Sequence, residues 1–461
     1  MTDARTQSED AASIVRACID ACDAGRAVRG AVDRLGPMAD ASVLAIGKAA
    51  GPMARAYGEA AQTPRRCFVL GSDGAATRDG LPAGSEVWPA DHPIPTARNV
   101  EAAGRLLAWL TEGGRDEPDQ SGDLVVLLSG GASAMLCTPR EPLTLEQLGR
   151  MTDALLRSGA SINELNAVRK HLELLKGGGL LRAALGSRGG EGGRSRVVTL
   201  VLSDVLGDPL DVIGSGPTSP DPTTFADAIA VLERYGLAGE VPAATDLLER
   251  GRAGRIPETL KPEDPECAHA EHHVIGNNRL AIDAACAEAE RLGYDVSERR
   301  EMVEGEAAVV GRELARAALH LRDTARTSAS ARTPARACLV WGGETTVKVG
   351  DAPGLGGRNQ ELALAAACEL ANTGPASGHT AESPAITIIS LATDGRDGPT
   401  DAAGAVVDGS TCARISAAGL DAADALGRHD SHPALDAAGA LLRTGLTGTN
   451  VNDVMVALVG R

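Results

Sequence analysis

The chain carries its chemically capable side chains in short glycine-rich or polar strings, each just beyond an apolar run. The first is Ala45-Ile46-Gly47-Lys48-Ala49-Ala50-Gly51, where Gly47 turns the chain and Lys48 stands at a helix start. A cation there suits a phosphate or carboxylate, helped by the N-terminal amides. It is not a Walker A loop, because the upstream glycine is missing and Ala49 replaces Ser/Thr; an ordinary solvated lysine is the plain alternative. Next comes Ser129-Gly130-Gly131-Ala132-Ser133, after the aliphatic run that ends at Leu128. Paired glycines let the backbone approach a ligand, and consecutive amides form an anion nest; a tight turn would use the same residues. In Asn163-Glu164-Leu165-Asn166-Ala167-Val168-Arg169-Lys170-His171, a helix puts Asn163, Asn166 and Lys170 on one face with Arg169 beside Asn166. Two amides and two cations suit a hydroxy acid or a phosphate, and a solvated stripe is the alternative.

Carboxylates follow other runs. Asp204, two residues past Leu202, is placed to hold Mg²⁺, to accept a hydroxyl proton or to cap a turn. Glu344 follows Gly342-Gly343. In Gly354-Leu355-Gly356-Gly357-Arg358-Asn359-Gln360-Glu361, Arg358 suits bidentate binding of phosphoryl oxygens, with Gly356, Gly357 and Asn359 around a helix start. That string lacks the strand–GxGxxG spacing of a dinucleotide fingerprint. Thr393-Asp394-Gly395-Arg396-Asp397-Gly398 sets Asp394 and Asp397 three apart in a glycine-rich loop, suiting a metal, a general base or a solvated turn. There is no Cys/His metal set and no GxSxG elbow. Cations, amide nests and carboxylates at strand ends fit phosphoryl transfer, which is mostly positioning and charge neutralisation with Mg²⁺. The residues alone therefore indicate an anion-binding α/β enzyme that uses a magnesium nucleotide.

The elements that must position these strings are legible as alternating patterns. Strands are expected at 42–46, 66–70, 123–128, 197–202, 272–275, 337–341, 345–349, 386–391 and 454–459. Amphipathic helices are expected at 97–110, 278–292, 306–321 and 359–371. In the third helix Ala307, Val310, Leu314, Ala317 and Leu321 keep the 3–4 spacing. Strand–helix alternation means βαβ units and a parallel sheet. Ligands in such sheets bind at the carboxyl ends of the strands. Loops are expected at 113–122, 187–196, 251–271, 322–336 and 374–383. The proline-rich, charged 251–271 stretch is the expected domain boundary, giving domains 1–255 and 256–461.

Composition narrows the partners. With 461 residues, 43% hydrophobic and 23% charged, the chain is globular and long enough for two or three domains. A net charge of −17 and only three Trp, three Tyr and two Phe argue against a nucleic-acid binder. The aliphatic runs are far shorter than the ~20 residues of a membrane span, and the acidic start lacks the regions of a signal peptide. Nine cysteines without a CxxC pair suggest reduced thiols and a cytoplasmic protein. Lysine occurs only at 48, 170, 176, 261 and 348, so each one draws notice.

At these strings the chain resembles the type II glycerate 2-kinase family, whose C-terminal part is called the MOFRL domain. The matching residues are Ile46-Gly47-Lys48-Ala49, Asp91-His92-Pro93-Ile94-Pro95, Leu128 to Ser133, Asn163 to His171, Ser203-Asp204-Val205, Gly214 to Thr218, Gly342 to Thr346, Gly356 to Glu361, Thr393 to Gly398 and Thr447 to Asp453. The resemblance implies ATP-dependent phosphorylation of D-glycerate at its 2-hydroxyl, with Mg²⁺. It also implies an N-terminal Rossmann-like, doubly wound, mainly parallel α/β domain and a smaller C-terminal α/β domain with a mixed sheet, the active site lying in the cleft between them. Lys48 and Arg358 match the family's important lysine and arginine. As a mechanism, Lys48 and Arg358 clamp the carboxylate or the transferring phosphoryl group, and Asp204 acts as base or metal-orienting carboxylate. Ser129, Gly130, Gly131, Ser133, Asn163, Asn166, Arg169, Lys170, Gly356, Gly357 and Asn359 bind the substrates, and Asp394, Asp397 and Glu344 face the metal. The expected partners are small molecules, D-glycerate and ATP, with no nucleic acid or membrane, in a monomer or homodimer. Relatives of this family have also been labelled hydroxypyruvate reductases, the competing reading. Two positions depart from the family pattern: Gly179 stands where a basic residue usually follows Lys176-Gly177-Gly178, and Glu173 stands where Ser is common.

Overall fold

The computed structural model describes residues 2–36, 38, 40–61, 64–73, 78–111, 122–186, 196–327, 336–350, 354–372 and 385–460. The chain divides into two compact units, Ala24–Ile275 and a second made of Met1–Asp23 with Gly276–Arg461.

The first unit is built on strands β1 (Ser42–Ile46), β2 (Arg66–Gly71), β3 (Glu86–Pro89), β4 (Leu124–Leu128), β5 (Val197–Leu202) and β6 (Ala270–Gly276), in the order β3-β2-β1-β4-β5-β6. The pairings from β3 through β5 are all parallel. The strands β1, β4 and β5 are buried along their whole length, as expected for a sheet covered on both faces. A side chain such as Leu127, fully buried here, stabilises the fold by about 1.5–3 kcal/mol relative to exposure. The order reverses between β1 and β4, and that reversal point is where doubly wound sheets bind ligands. Helix Ile162–Leu172, packed with helices Leu145–Arg157, Phe225–Arg234 and Pro242–Arg252, starts with a capping box in which Ser161 and Glu164 satisfy each other's amides.

The second unit holds β7 (Asp295–Glu306), β8 (Ala337–Thr346), β9 (Ile386–Ala392), β10 (Gly404–Asp408), β11 (Leu441–Leu442) and β12 (Asp453–Val459), ordered β11-β10-β9-β12-β8-β7. Only β7 and β8 pair in parallel; the other four pairings are antiparallel, so the sheet is mixed. Helices Ala307–Thr327 and Arg358–Ala371 pack on it around Leu314, Leu362, Ala366 and Trp341.

Several expectations need correcting. The two strands expected at 337–341 and 345–349 are one, β8, running through Gly342 and Gly343 without a break. Here a side chain on Gly343 would meet the backbone of Val303 on β7. The boundary expected at 255/256 lies inside the first unit. Leu260 is fully buried there, its N–H bonds Gly177 O at 3.0 Å, and its carbonyl accepts from Asp221 N at 2.7 Å. The N-terminal helix Thr2–Ala21 belongs with the C-terminal half rather than with the residues that follow it. The loops expected at 113–122, 187–196 and 374–383 lie almost wholly outside the described residues. Of 322–336, the residues up to Thr327 continue a helix.

Candidate active site

In the first unit the strings after β1 and β4 are locked together. The Ser129 N–H bonds Ile46 O at 3.0 Å and the Lys48 N–H bonds Gly130 O at 2.9 Å. The buried Ser129 hydroxyl accepts from Ala49 N at 3.1 Å and donates to Ile46 O at 3.2 Å. Gly47, at φ +117°, is required, since a Cβ there would collide with Ser129. Ser129 thus serves the turn itself. The Gly130 and Gly131 amides, by contrast, have no acceptor among the described residues. They lie beside the half-buried Lys48, whose side chain passes Gly131. Two open amides and an ammonium at the reversal point make an anion cradle.

Behind the cradle runs a buried polar network. The Ser133 hydroxyl lies 2.7 Å from that of Ser215, which donates to Asn166 Oδ1 at 3.1 Å. The Ser133 carbonyl accepts from Lys176 Nζ at 2.5 Å and from Arg169 Nη2 at 3.2 Å. Glu173, fully buried, pairs with Lys176 at 3.3 Å and with Arg169 at 3.4 Å. Burial lowers the pKa of Lys176, and Glu173 pulls it back up. So the unusual Glu173 is half of an internal ion pair that holds the Ser133 segment. At the other departure, any side chain on Gly179 would run into the Leu174 carbonyl.

The remaining expected residues of this unit scatter. Lys170 is buried with Asp211 at 3.1 Å and Asp221 at 3.2 Å, so its charge is answered inside the protein. Asn163 is exposed on the first turn of its helix, whereas Asn166 is buried. Asp204 is half-buried just past the end of β5, next to β4 in the sheet.

In the second unit Arg358 is the centre. It opens helix Arg358–Ala371, and its guanidinium grips the buried Asp453 through Nε (2.6 Å) and Nη2 (3.1 Å) and Glu344 through Nη1. Asp453 begins β12 between Gly343 of β8 and Ala392 of β9, so these groups and Asp394 gather at one end of the sheet. Burial raises the Asp453 carboxyl well above the usual carboxylate range, while Arg358 pulls it down. Burial works against the Arg358 charge, but Asp453 and Glu344 overcome it and raise its pKa.

Asp397 has a task the sequence did not suggest. Its Oδ1 accepts from Asn359 N at 3.1 Å and its Oδ2 from Gln360 N at 2.8 Å and Gln360 Nε2 at 3.0 Å. It therefore caps helix Arg358–Ala371 and takes the Asn359 and Gln360 amides that the glycine-rich string would offer a phosphate. Burial pushes its pKa up against those hydrogen bonds. Gly357 lies against Asp397 and Gly356 against Ser431, so these glycines serve close packing. Asn359 is buried and accepts from Ser390 Oγ at 2.6 Å. Asp394 is half-buried, one oxygen accepting from Arg396 N at 3.0 Å.

Reading the residues missed Asp453, Lys176 and His92. Each had a signal: an Asp opening an apolar strand, a scarce lysine, and a histidine in a proline-rich loop just past β3. Among the described residues no group of three or more His, Cys, Asp or Glu is placed to hold a metal ion. Magnesium at a nucleotide site is commonly held by one or two carboxylates plus phosphates and water. Asp394 and Glu344, at the same end of the second sheet, are carboxylates of the kind that sparse demand needs, Glu344 with one oxygen on Arg358, whereas Asp397 is committed to its helix.

A family model described as a domain of unknown function, DUF4147, matches residues 10–249, and one described as the MOFRL family matches residues 337–453. A glycerate 2-kinase of Pyrococcus horikoshii is 38% identical over 425 residues, covering 90% of this chain and 87% of its own. A D-glycerate 2-kinase of Thermotoga maritima is 36% identical over 460 residues, spanning 100% of both chains. An Agrobacterium vitis protein provisionally named hydroxypyruvate reductase is 39% identical over 423 residues, covering 91% of this chain and 87% of its own. A crystal structure of a glycerate kinase from Thermotoga maritima matches with a TM-score of 0.83 and 36% identity, covering 99% of this chain and 100% of that one.

Proposed function

This chain belongs to the glycerate kinase family that carries a C-terminal MOFRL region, and from that premise we infer that it transfers the γ-phosphoryl group of ATP to the 2-hydroxyl of D-glycerate. The products are 2-phospho-D-glycerate and ADP. The observation that carries the reading is the anion cradle: Lys48 beside the open amides of Gly130 and Gly131 where the strand order reverses.

Lys48 and the two amides neutralise anionic oxygens of the reactants. Asn166, Arg169 and Ser133 shape and support that cradle from behind, and Asn163 stands exposed on the same helix. Arg358 acts on substrate charge in the second unit. Three of its donor atoms bond Asp453 and Glu344, and two of its five N–H groups remain for a ligand. A well-placed charge donor of this kind contributes on the order of 10²–10³ in rate. In the first unit Asp204 is the base or metal-orienting carboxylate, and in the second unit Asp394 and Glu344 are the groups that would hold Mg²⁺ with the nucleotide. Bound there, Mg²⁺ supplies positive charge to the phosphate oxygens. All nine cysteines are free thiols, which supports a reducing compartment and hence the cytoplasm. Among the described residues no helix is long and apolar enough to cross a membrane. A monomer or homodimer is the assembly we assign.

A dinucleotide-dependent reductase finds less support. At the glycine-rich start of helix Arg358–Ala371, which could be taken for a pyrophosphate site, Asp397 fills the Asn359 and Gln360 amides. The deciding test supplies D-glycerate, ATP and Mg²⁺ with enolase, pyruvate kinase and lactate dehydrogenase, and no phosphoglycerate mutase. The expected result is glycerate-dependent NADH loss that vanishes when enolase is omitted. ADP formation without an enolase-dependent signal would move the transfer to another hydroxyl. NADH oxidation by hydroxypyruvate without ADP formation would hand the chain to the reductase.

A further inference from the structure

Gly131 has φ +83°, and two groups converge on the space where its side chain would be. A Cβ at that point would stand 3.0 Å from His92 Cδ2, 3.4 Å from His92 Nε2 and 3.3 Å from Lys48 Cγ. His92 therefore lies with Lys48 over the glycine whose amide is open. It comes from the loop between β3 and helix Ala97–Thr111, and its ring is exposed. Among the described residues neither ring nitrogen has a hydrogen-bond partner. The adjacent Asp91 does not hold the ring, since its carboxylate takes Arg98 at 2.9 Å and the Thr96 hydroxyl. Lys48 is the charged group that acts on the imidazole. Partial desolvation, and then the Lys48 ammonium, hold the imidazole below its ordinary pKa and so favour its neutral form. A neutral imidazole with an open nitrogen, next to a cation and two open amides, is equipped to accept a proton where an anionic substrate sits.

We propose that His92 is the general base of the transfer, taking the proton of the hydroxyl that becomes phosphorylated. The proposal rests on the kinase reading above. In the step, the hydroxyl O–H bond breaks and its proton passes to a nitrogen of His92. The oxygen forms a bond to the γ-phosphorus of ATP, and the bond from that phosphorus to the β–γ bridging oxygen breaks, its electron pair leaving with ADP. The step needs no further reactant. Asp204 then keeps its metal-orienting role and is not the base.

The test uses the full chain and the enolase-coupled assay, with wild type, His92→Gln and His92→Asn measured from pH 5 to 9. The base must be deprotonated to act, so wild-type kcat/KM falls on the acid side, with its midpoint below the ordinary imidazole value. Both variants are expected to lose about 10²–10⁴-fold in kcat, with KM for glycerate within about three-fold and the acid limb gone. His92 observed by NMR in the wild-type protein, a measurement that needs no variant, is expected to titrate at the midpoint of that limb. Variant kcat within about three-fold of wild type with the limb intact would overturn the proposal. So would a rise in KM alone, an NMR midpoint that misses the limb, or loss of the limb in Asp204→Asn but not in His92→Gln. If the wild type itself gives no glycerate-dependent signal, the kinase reading fails and the proposal falls with it; activity in wild type with unchanged variants sinks the proposal alone.

Discussion

Arg358 shows what a residue type can and cannot announce. A guanidinium before an apolar helix is visible in the sequence, but the carboxylates that aim it, Asp453 and Glu344, come from two other strands. The fork is held on one side so that the remaining N–H groups point in a fixed direction. Arg358→Lys keeps the charge, yet it cannot span both Asp453 oxygens and Glu344 together. We expect kcat/KM to fall by about 10²–10³ with the fold retained, read by steady-state kinetics alongside thermal melting. Near-normal kinetics would remove Arg358 from the chemistry and leave it as the partner that neutralises Asp453. The lysines make the same point from the other side. Lys48 and Lys170 both stand in polar strings, and nothing local separates them. Only the fold reveals that Lys170 is enclosed by Asp211 and Asp221, while Lys48 lies beside open amides.

Elements were legible where burial is uniform and obscure where it is not. The strands β1, β4, β5, β9 and β12 are buried throughout, and continuous aliphatic runs reveal them. β7 reads Asp295-Val296-Ser297-Glu298-Arg299-Arg300, an exposed, charged edge strand without an apolar run. β3 is four residues long and β10 is short, so neither gives a periodic signal. Helix Arg358–Ala371 was legible in its apolar length, whereas its cap was not, because Asp397 reaches it from a loop 38 positions away in sequence. That difference is testable. Asp397→Asn replaces a carboxylate that accepts from both Asn359 and Gln360 by a group with one accepting oxygen and a donor facing N–H. The expected cost is about 1–3 kcal/mol of stability, seen as a lower melting temperature, with the Mg²⁺ concentration for half-maximal activity unchanged. A raised Mg²⁺ requirement at an unchanged melting temperature would return Asp397 to the metal.

On the scale of the whole molecule, chain order and spatial order part company at the N terminus. An acidic, polar start carries no long apolar run, so its destination is invisible until the helix is seen to bury Ala11, Ile14, Val15 and Cys18. Its polar groups are spent on the same unit. Gln7 bonds Ala385 O at 3.1 Å and Thr387 at 3.0 Å, Asp10 takes the Tyr294 hydroxyl at 3.0 Å and Arg336, and Ser13 donates to Glu288 at 2.5 Å. Ala385 and Thr387 lie at the start of β9, Tyr294 and Arg336 just before β7 and β8, and Glu288 on helix Asn278–Arg291, all within the unit that holds Arg358. The first residues of the chain therefore brace the sheet on whose end Arg358, Glu344 and Asp453 gather. Ile14→Ala removes a fully buried side chain from that brace, and a cost of about 2–5 kcal/mol is expected. Because stability is carried by cooperative units rather than spread evenly, the loss should stay within one unit. Hydrogen exchange followed by mass spectrometry is expected to show faster exchange in residues 278–291, 386–392 and 453–459. Exchange in β1 and β4, at 42–46 and 124–128, is expected to keep its wild-type rate. Equal acceleration in both sets would mean that the two units open together and that the N-terminal helix braces the whole chain; no acceleration in either would mean that its buried face contributes little.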